Sequence, residues 1–231
     1  MSEATAIQGI CSMATRGLLD ELAATWSRRA GVPAAFLPVG GVDAFKRVSA
    51  GEPFDIVALA SDAIDKLIAA GHLDATGKVD LVRSGVGVAV RSGAAHPDIA
   101  TADAVRNAVL AARRIAYSTG PSGVALMALF ERWGITDALA NRLMQAPPGV
   151  SVGALVARGE ADLGFQQMSE LIGVEGIDLL GPLPDEIQIT TVFSAAPGAA
   201  GTQREAVRAL LDFLVSAGSA DAKRRHGMAP A

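Results

Sequence analysis

An alternation of short apolar runs with helical patterns predicts a two-lobed α/β protein built on largely parallel sheets. Three observations carry that prediction. Apolar runs at residues 7–13, 33–39 and 54–60 are each followed by side chains recurring at three and four, as strands and crossover helices do around a buried parallel sheet. The alternation restarts near residue 101, after a stretch holding Gly93 and Pro97, so a second unit repeats the architecture of the first. A last strand at 187–193 and helix at 204–215 follow that second unit. Their return to the first lobe would make lobe I from residues 1–90 and 187–231 and lobe II from residues 91–186. Two crossings favour a hinge over independent tumbling.

The elements follow in order. After the first run, Leu18, Leu19, Leu22, Ala23 and Trp26 mark one helical face. Gly40-Gly41 then opens a helix carrying Val42, Phe45 and Val48. Gly51-Glu52-Pro53 is a turn, and beyond the third run Ser61 and Asp62 are expected to cap the helix of Ile64, Leu67 and Ile68. Residues 86–90 read as a strand, 101–110 as a helix and 114–117 as a strand. That strand ends in Ser118-Thr119-Gly120-Pro121-Ser122-Gly123 before a helix running through Trp133. A strand or edge at 141–145, a helix at 151–157 and a strand at 161–166 complete the second unit. The closing helix carries Val207, Leu210, Leu211 and Leu214 on one face.

Composition narrows the function. Half of the 231 residues are apolar, which supports a sizeable core without metals or disulfides. A net charge of -4, with no basic block, argues against nucleic acid as a partner. Every apolar run is broken before the ~18 residues of a membrane span, so a soluble chain with no direct membrane insertion is expected. Cys11 is the lone cysteine and excludes an intrachain disulfide; at the end of a strand it reads as a small buried hydrophobe. The start, Met1-Ser2-Glu3-Ala4-Thr5, has neither the basic region nor the apolar core of a secretory leader. The expected location is therefore the cytoplasm, or the periplasm if a leader has been removed. His72, His96 and His226 lack metal-ligand spacing and read as solvated. No metal and no cofactor are expected, and a monomer is.

Ligands of open α/β sheets bind beyond the carboxyl ends of strands, where helix N-termini converge. Four loops qualify, at residues 12–17, 39–43, 118–124 and 166–169. The candidate ligand-binding residues on them are Met13, Ala14, Thr15 and Arg16; Gly40 and Gly41; Ser118, Ser122 and Gly123; and Gln167. The 118–123 loop is the sharpest signal, with hydroxyl donors and glycines that permit close backbone approach. It lacks the Lys-Ser/Thr ending of a P-loop and the glycine spacing of a dinucleotide site, and the same residues also suffice to turn the chain and cap a helix. Arg16 offers a planar fork to a carboxylate, or an ordinary surface ion pair. Gln167 offers a donor and an acceptor, to ligand or to water. Ser118, Ser122, Cys11 and Asp43 lie near these loops without an evident activating partner, so no catalytic residue is assigned.

Four segments carry a family resemblance: Gly51-Glu52-Pro53-Phe54-Asp55-Ile56-Val57, the 118–123 loop, Leu155-Val156-Ala157-Arg158-Gly159-Glu160-Ala161-Asp162-Leu163-Gly164, and Phe213-Leu214-Val215-Ser216 with Gly227. Through them the chain resembles the molybdate-binding branch of the type 2 periplasmic solute-binding proteins. The resemblance implies two Rossmann-like lobes joined by paired hinge strands, an enclosed small anion and, for exported transport members, a membrane permease of an ABC transporter as partner. By position, the family's first ligand serine falls at Ala14, its second near Gly41 or Val42, and its ligand tyrosine at Gln167. Fewer hydroxyls and a nearby arginine favour a di- or tricarboxylate over a tetrahedral oxyanion. The expected function is binding of such an organic anion. The resemblance leaves two alternatives: a cofactor-independent isomerase acting on a polycarboxylate such as aconitate, since the broad family is similar to aconitate isomerase, and a molybdate or other oxyanion carrier.

Overall fold

The computed structural model describes residues 5–147 and 149–231; the acidic start at residues 1–4, which bears on a leader, lies outside the described residues. The chain divides into two compact units, one running to Arg83 and resuming over Val192–Ala231, the other spanning Ser84–Thr191.

In the first unit, β1 (Ile7–Ser12), β2 (Ala34–Val39) and β3 (Ile56–Ala60) are parallel, with β1 between the other two. β9 (Thr190–Pro197) runs antiparallel to β3. Helices α1 (Arg16–Ala30), α2 (Gly41–Ser49) and α3 (Ser61–Ala69) follow the three parallel strands. α1 buries Leu18, Leu19, Leu22 and Ala23 and stops where Gly31, at φ 68°, takes the left-handed conformation that glycine adopts without strain. α9 (Arg204–Val215) buries Val207, Leu210, Leu211 and Leu214 against the same cluster. Ile10, Leu59, Ile64 and Leu67 anchor the opposite face of the sheet. β3 is buried at all five positions, as a strand covered on both faces must be.

The second unit repeats the plan. β5 (Ile115–Tyr117) lies parallel to β6 (Leu143–Gln145) on one side and to β7 (Leu163–Gln167) on the other. α5 (Pro121–Arg132) follows β5, α6 (Thr136–Leu139) precedes β6, α7 (Val152–Ala157) follows β6 and α8 (Met168–Leu171) follows β7. β4 (Val79–Arg91) pairs antiparallel with β7 and with β8 (Ile177–Pro182). α4 (Ala102–Ala111) is capped by Thr101, whose hydroxyl accepts from Ala104 N at 3.1 Å. The core gathers around Phe130, which meets Phe165 edge to face at 6.3 Å between ring centroids.

Two expectations need correction. The strand expected at 86–90 is the second half of a 13-residue strand, because Ser84 and Gly85 interrupt the apolar pattern without interrupting the backbone. Ser61 does not cap α3; it lies inside the helix, its hydroxyl accepts from Lys78 Nζ at 2.9 Å, and Asp62 faces Lys66 at 3.5 Å. α10 (Ala220–Arg225), β8 and β10 (Met228–Pro230) have no counterpart in the sequence reading.

Phe130 is fully buried at the centre of the second unit. Phe130→Ala is expected to lower stability by about 3–5 kcal/mol in urea denaturation.

Candidate functional site

In each unit the first of the three mutually parallel strands, β1 or β5, sits between the next two, so strand order reverses beside β1 and beside β5. Ligand crevices open at the carboxyl end of that reversal. The residues there are Ser12 onward from the end of β1, Ser61 after β3, Ser118 onward after β5 and Gln167 onward from the end of β7.

In the first unit the reversal exposes a group the sequence reading passed over. Ser12 is 6% exposed, and its hydroxyl has no hydrogen-bond partner among the described residues. A buried hydroxyl left this way destabilises a fold by about 1–3 kcal/mol, so it calls for a reason. A Cβ at Gly41 would lie 3.8 Å from Ser12 Cβ, so the first turn of α2 adjoins this serine. α2 has no side-chain cap, and its first helical bond runs from Ala44 N to Gly40 O at 2.8 Å. The N–H groups of Gly41, Val42 and Asp43 precede that bond and point out of the helix start. Asp43 Oδ2 stands beside the same turn, 3.5 Å from where a Gly40 Cβ would be.

The residues around Ser12 divide by role. Ala14 and Thr15 are buried, and the Thr15 hydroxyl is spent on Ser12 O at 3.1 Å. Met13 is exposed. The Arg16 side chain is 57% exposed and lies 3.7 Å from Asp20 one helical turn on. Cys11 is buried, and burial pushes its thiol up to about 12, which keeps it protonated and unreactive at neutral pH.

In the second unit, Ser118 and Ser122 join hydroxyl to hydroxyl at 2.9 Å. α5 starts with Pro121 and no side-chain cap. A Cβ at Gly123 would fall 1.8 Å from Ser118 O, so only glycine lets the helix start close over that carbonyl. Gln167 is buried, and its amide is engaged by protein. In the orientation that satisfies every neighbour, its oxygen accepts from Thr191 Oγ1 at 2.9 Å and its nitrogen donates to Ser84 Oγ at 2.8 Å and Ser84 O at 3.1 Å. It therefore ties β7 to the strands that enter and leave the unit.

Beyond β7 lies Glu170, a second residue outside the sequence reading. Gln166 accepts from Val152 N at 3.0 Å and donates from Nε2 to Glu170 Oε1 at 2.8 Å. Burial pushes the Glu170 carboxyl up to about 7, the Gln166 bond opposing only part of the rise. A carboxyl so placed exchanges its proton near neutral pH. Two of the three histidines are engaged elsewhere: His96 with Asp178 at 3.1 Å and His226 with Glu21 at 3.0 Å. Among the described residues, no three of His, Cys, Asp and Glu gather as a metal-binding group, and no helix is long and apolar enough to cross a membrane.

Residues 7–229 match the family model described as bacterial extracellular solute-binding protein. The chain is 42% identical over 185 residues to an aconitate isomerase of a Pseudomonas species, covering 80% of this chain and 70% of that one. In structure it is similar to the periplasmic molybdate-binding protein of Azotobacter vinelandii, at TM-score 0.79 and 18% identity over 96% of this chain and 98% of the other. It is also similar to the substrate-binding domain of a putative molybdenum ABC transporter from Clostridium difficile, at TM-score 0.76 and 14% identity over 98% and 99%.

Glu170 binds its proton more tightly folded than unfolded. The fold therefore loses stability as pH rises from the ordinary value of 4.5 toward 7, and the loss is complete above that. Glu170→Gln keeps the acceptor for Gln166 and cannot ionise. It is expected to raise stability by about 1–3 kcal/mol at pH 8 and to leave it nearly unchanged at pH 4.5, read as urea midpoints at the two values.

Proposed function

The chain belongs to the bacterial extracellular solute-binding protein family, and from that premise we propose that it takes up a tricarboxylate of the aconitate class and interconverts its isomers. The observation that carries this reading is the 42% identity to an aconitate isomerase, against 14–18% to the molybdate and molybdenum binders.

The reaction moves a proton and a double bond. A base removes a proton from the methylene carbon, the electron pair shifts to form the new double bond, and a proton is delivered to the former alkene carbon. No electron is gained or lost overall, and the three carboxylates are unchanged. The enzyme must hold the carboxylates, whose charge grows as the carbanion forms, and must carry one proton.

Supports for the first task are the unpartnered Ser12 hydroxyl and the uncapped start of α2, both in the first unit. A helix start and a buried hydroxyl together suit a carboxylate oxygen. Arg16 adds a planar fork within the same loop, able to leave the exposed Asp20 for a better-matched carboxylate. For the second task this reading assigns Glu170 of the second unit, whose carboxyl exchanges its proton near neutral pH and which follows β7 in the chain.

A second reading, uptake of the same anion without turnover and delivery to a membrane permease, is favoured by the family description itself. Turnover decides between them. Proton NMR of cis- and trans-aconitate with the protein is expected to show each converting to the other; binding by calorimetry without conversion would select the second reading. Glu170→Gln should retain binding and lose at least about 100-fold in turnover. Ser12→Ala should weaken aconitate binding roughly tenfold while slightly raising the melting temperature of the free protein, because an unpartnered buried hydroxyl has been removed.

A further inference from the structure

The two loops that meet at Ser12 each carry an apolar side chain the fold does not use. Met13, next to Ser12, is 40% exposed, and Val42, next to Gly41, is 49% exposed. Neither belongs to the buried clusters of the first unit; α2 turns Ala44 and Val48 inward instead. Large exposed hydrophobes are few among the described residues. The first turn of a helix ordinarily favours polar and acidic side chains, since they answer its free N–H groups. Here the turn that leaves its N–H groups uncapped bears valine beside its acidic Asp43, and the residue after the buried, unpartnered hydroxyl is methionine. The second unit repeats the feature on its own candidate loop, where Val124, in the first turn of α5 and two residues after Ser122, is 69% exposed.

Donors flanked by hydrocarbon distinguish two kinds of anion. A tetrahedral oxyanion presents oxygen on every side, so contact with Met13 or Val42 strips water from it and returns no hydrogen bond. A polycarboxylate presents oxygens at its ends and carbon between them, and the carbon gains from leaving water. We infer that Met13 and Val42 are specificity residues that cover the carbon skeleton of the ligand while Ser12 and the start of α2 hold a carboxylate, so that the site selects organic polycarboxylates over inorganic oxyanions. This inference rests on the ligand reading proposed above and assigns the discrimination within it to two side chains.

The test is titration calorimetry of the wild type and of a Met13→Ser, Val42→Ser double variant against trans-aconitate, molybdate and sulfate. Both side chains are exposed, so the double variant should keep the wild-type melting temperature in the absence of ligand. Its affinity for trans-aconitate should fall at least about tenfold, the scale set by burying two apolar side chains against a ligand, while its affinity for molybdate or sulfate stays equal or rises. Undiminished trans-aconitate affinity in a folded double variant, with a wild type that binds trans-aconitate, overturns this inference alone. An equal loss for all three anions also overturns it, since the two side chains would then shape the loop rather than discriminate. A wild type that prefers molybdate or sulfate, or binds none of the three, overturns the ligand reading and this inference with it.

Discussion

The constraint on which the rest depends is the placing of the first parallel strand of each unit, β1 or β5, between the next two parallel strands. Parallel pairing of β1 with β2 and β3, and of β5 with β6 and β7, forces the following helices to start at one edge of their sheet. At that edge the order reverses, and no connection passes over the gap it leaves. Ser12 and Ser118, the residues at or just past the ends of the two central strands, take their position from this pairing rather than from any local motif. The glycines that follow are consequences of it. Gly41 lets a helix start approach Ser12, and Gly123 lets another close over Ser118.

What could be read from sequence follows the range of the forces involved. The alternation of strands and helices was legible because burial on both faces writes continuous apolar runs, as in β3, and because a helix such as α9 repeats its buried residues every turn. The Ser118-Thr119-Gly120-Pro121-Ser122-Gly123 loop was legible because turn chemistry is local. Ser12 was not, since a serine ending an apolar strand looks like any other; the signal that could have found it is a hydroxyl at the carboxyl end of the central strand, and the central strand is known only from topology. Glu170 was hidden as well: its proton affinity comes from burial in the folded unit, which no local motif announces. Ser61 misled because the lysine that takes its hydroxyl lies 17 residues on.

Each unit carries one feature that works against its stability: an unpartnered hydroxyl at Ser12 in the first and, in the second, a carboxyl at Glu170 whose ionisation burial opposes. Neither is needed to fill the cores, which close around Leu19 and Phe130 without them. Stability surrendered at specific polar groups, while the packing beneath them remains intact, is the usual signature of residues kept for what they do. Gln167 shows the contrasting case. Its amide, at the end of β7, is engaged by Ser84 and Thr191, so within the second unit it braces β7 against β4 and β9.

The buried thiol of Cys11 has a practical corollary. Because it stays protonated and out of reach of solvent, the native protein offers maleimides and disulfide reagents no competing target. A cysteine introduced on the surface of each unit would then be the pair that fluorophores label. The molecule is thus ready for single-molecule distance measurements, in the background of its own sequence and with no prior replacement of a native residue.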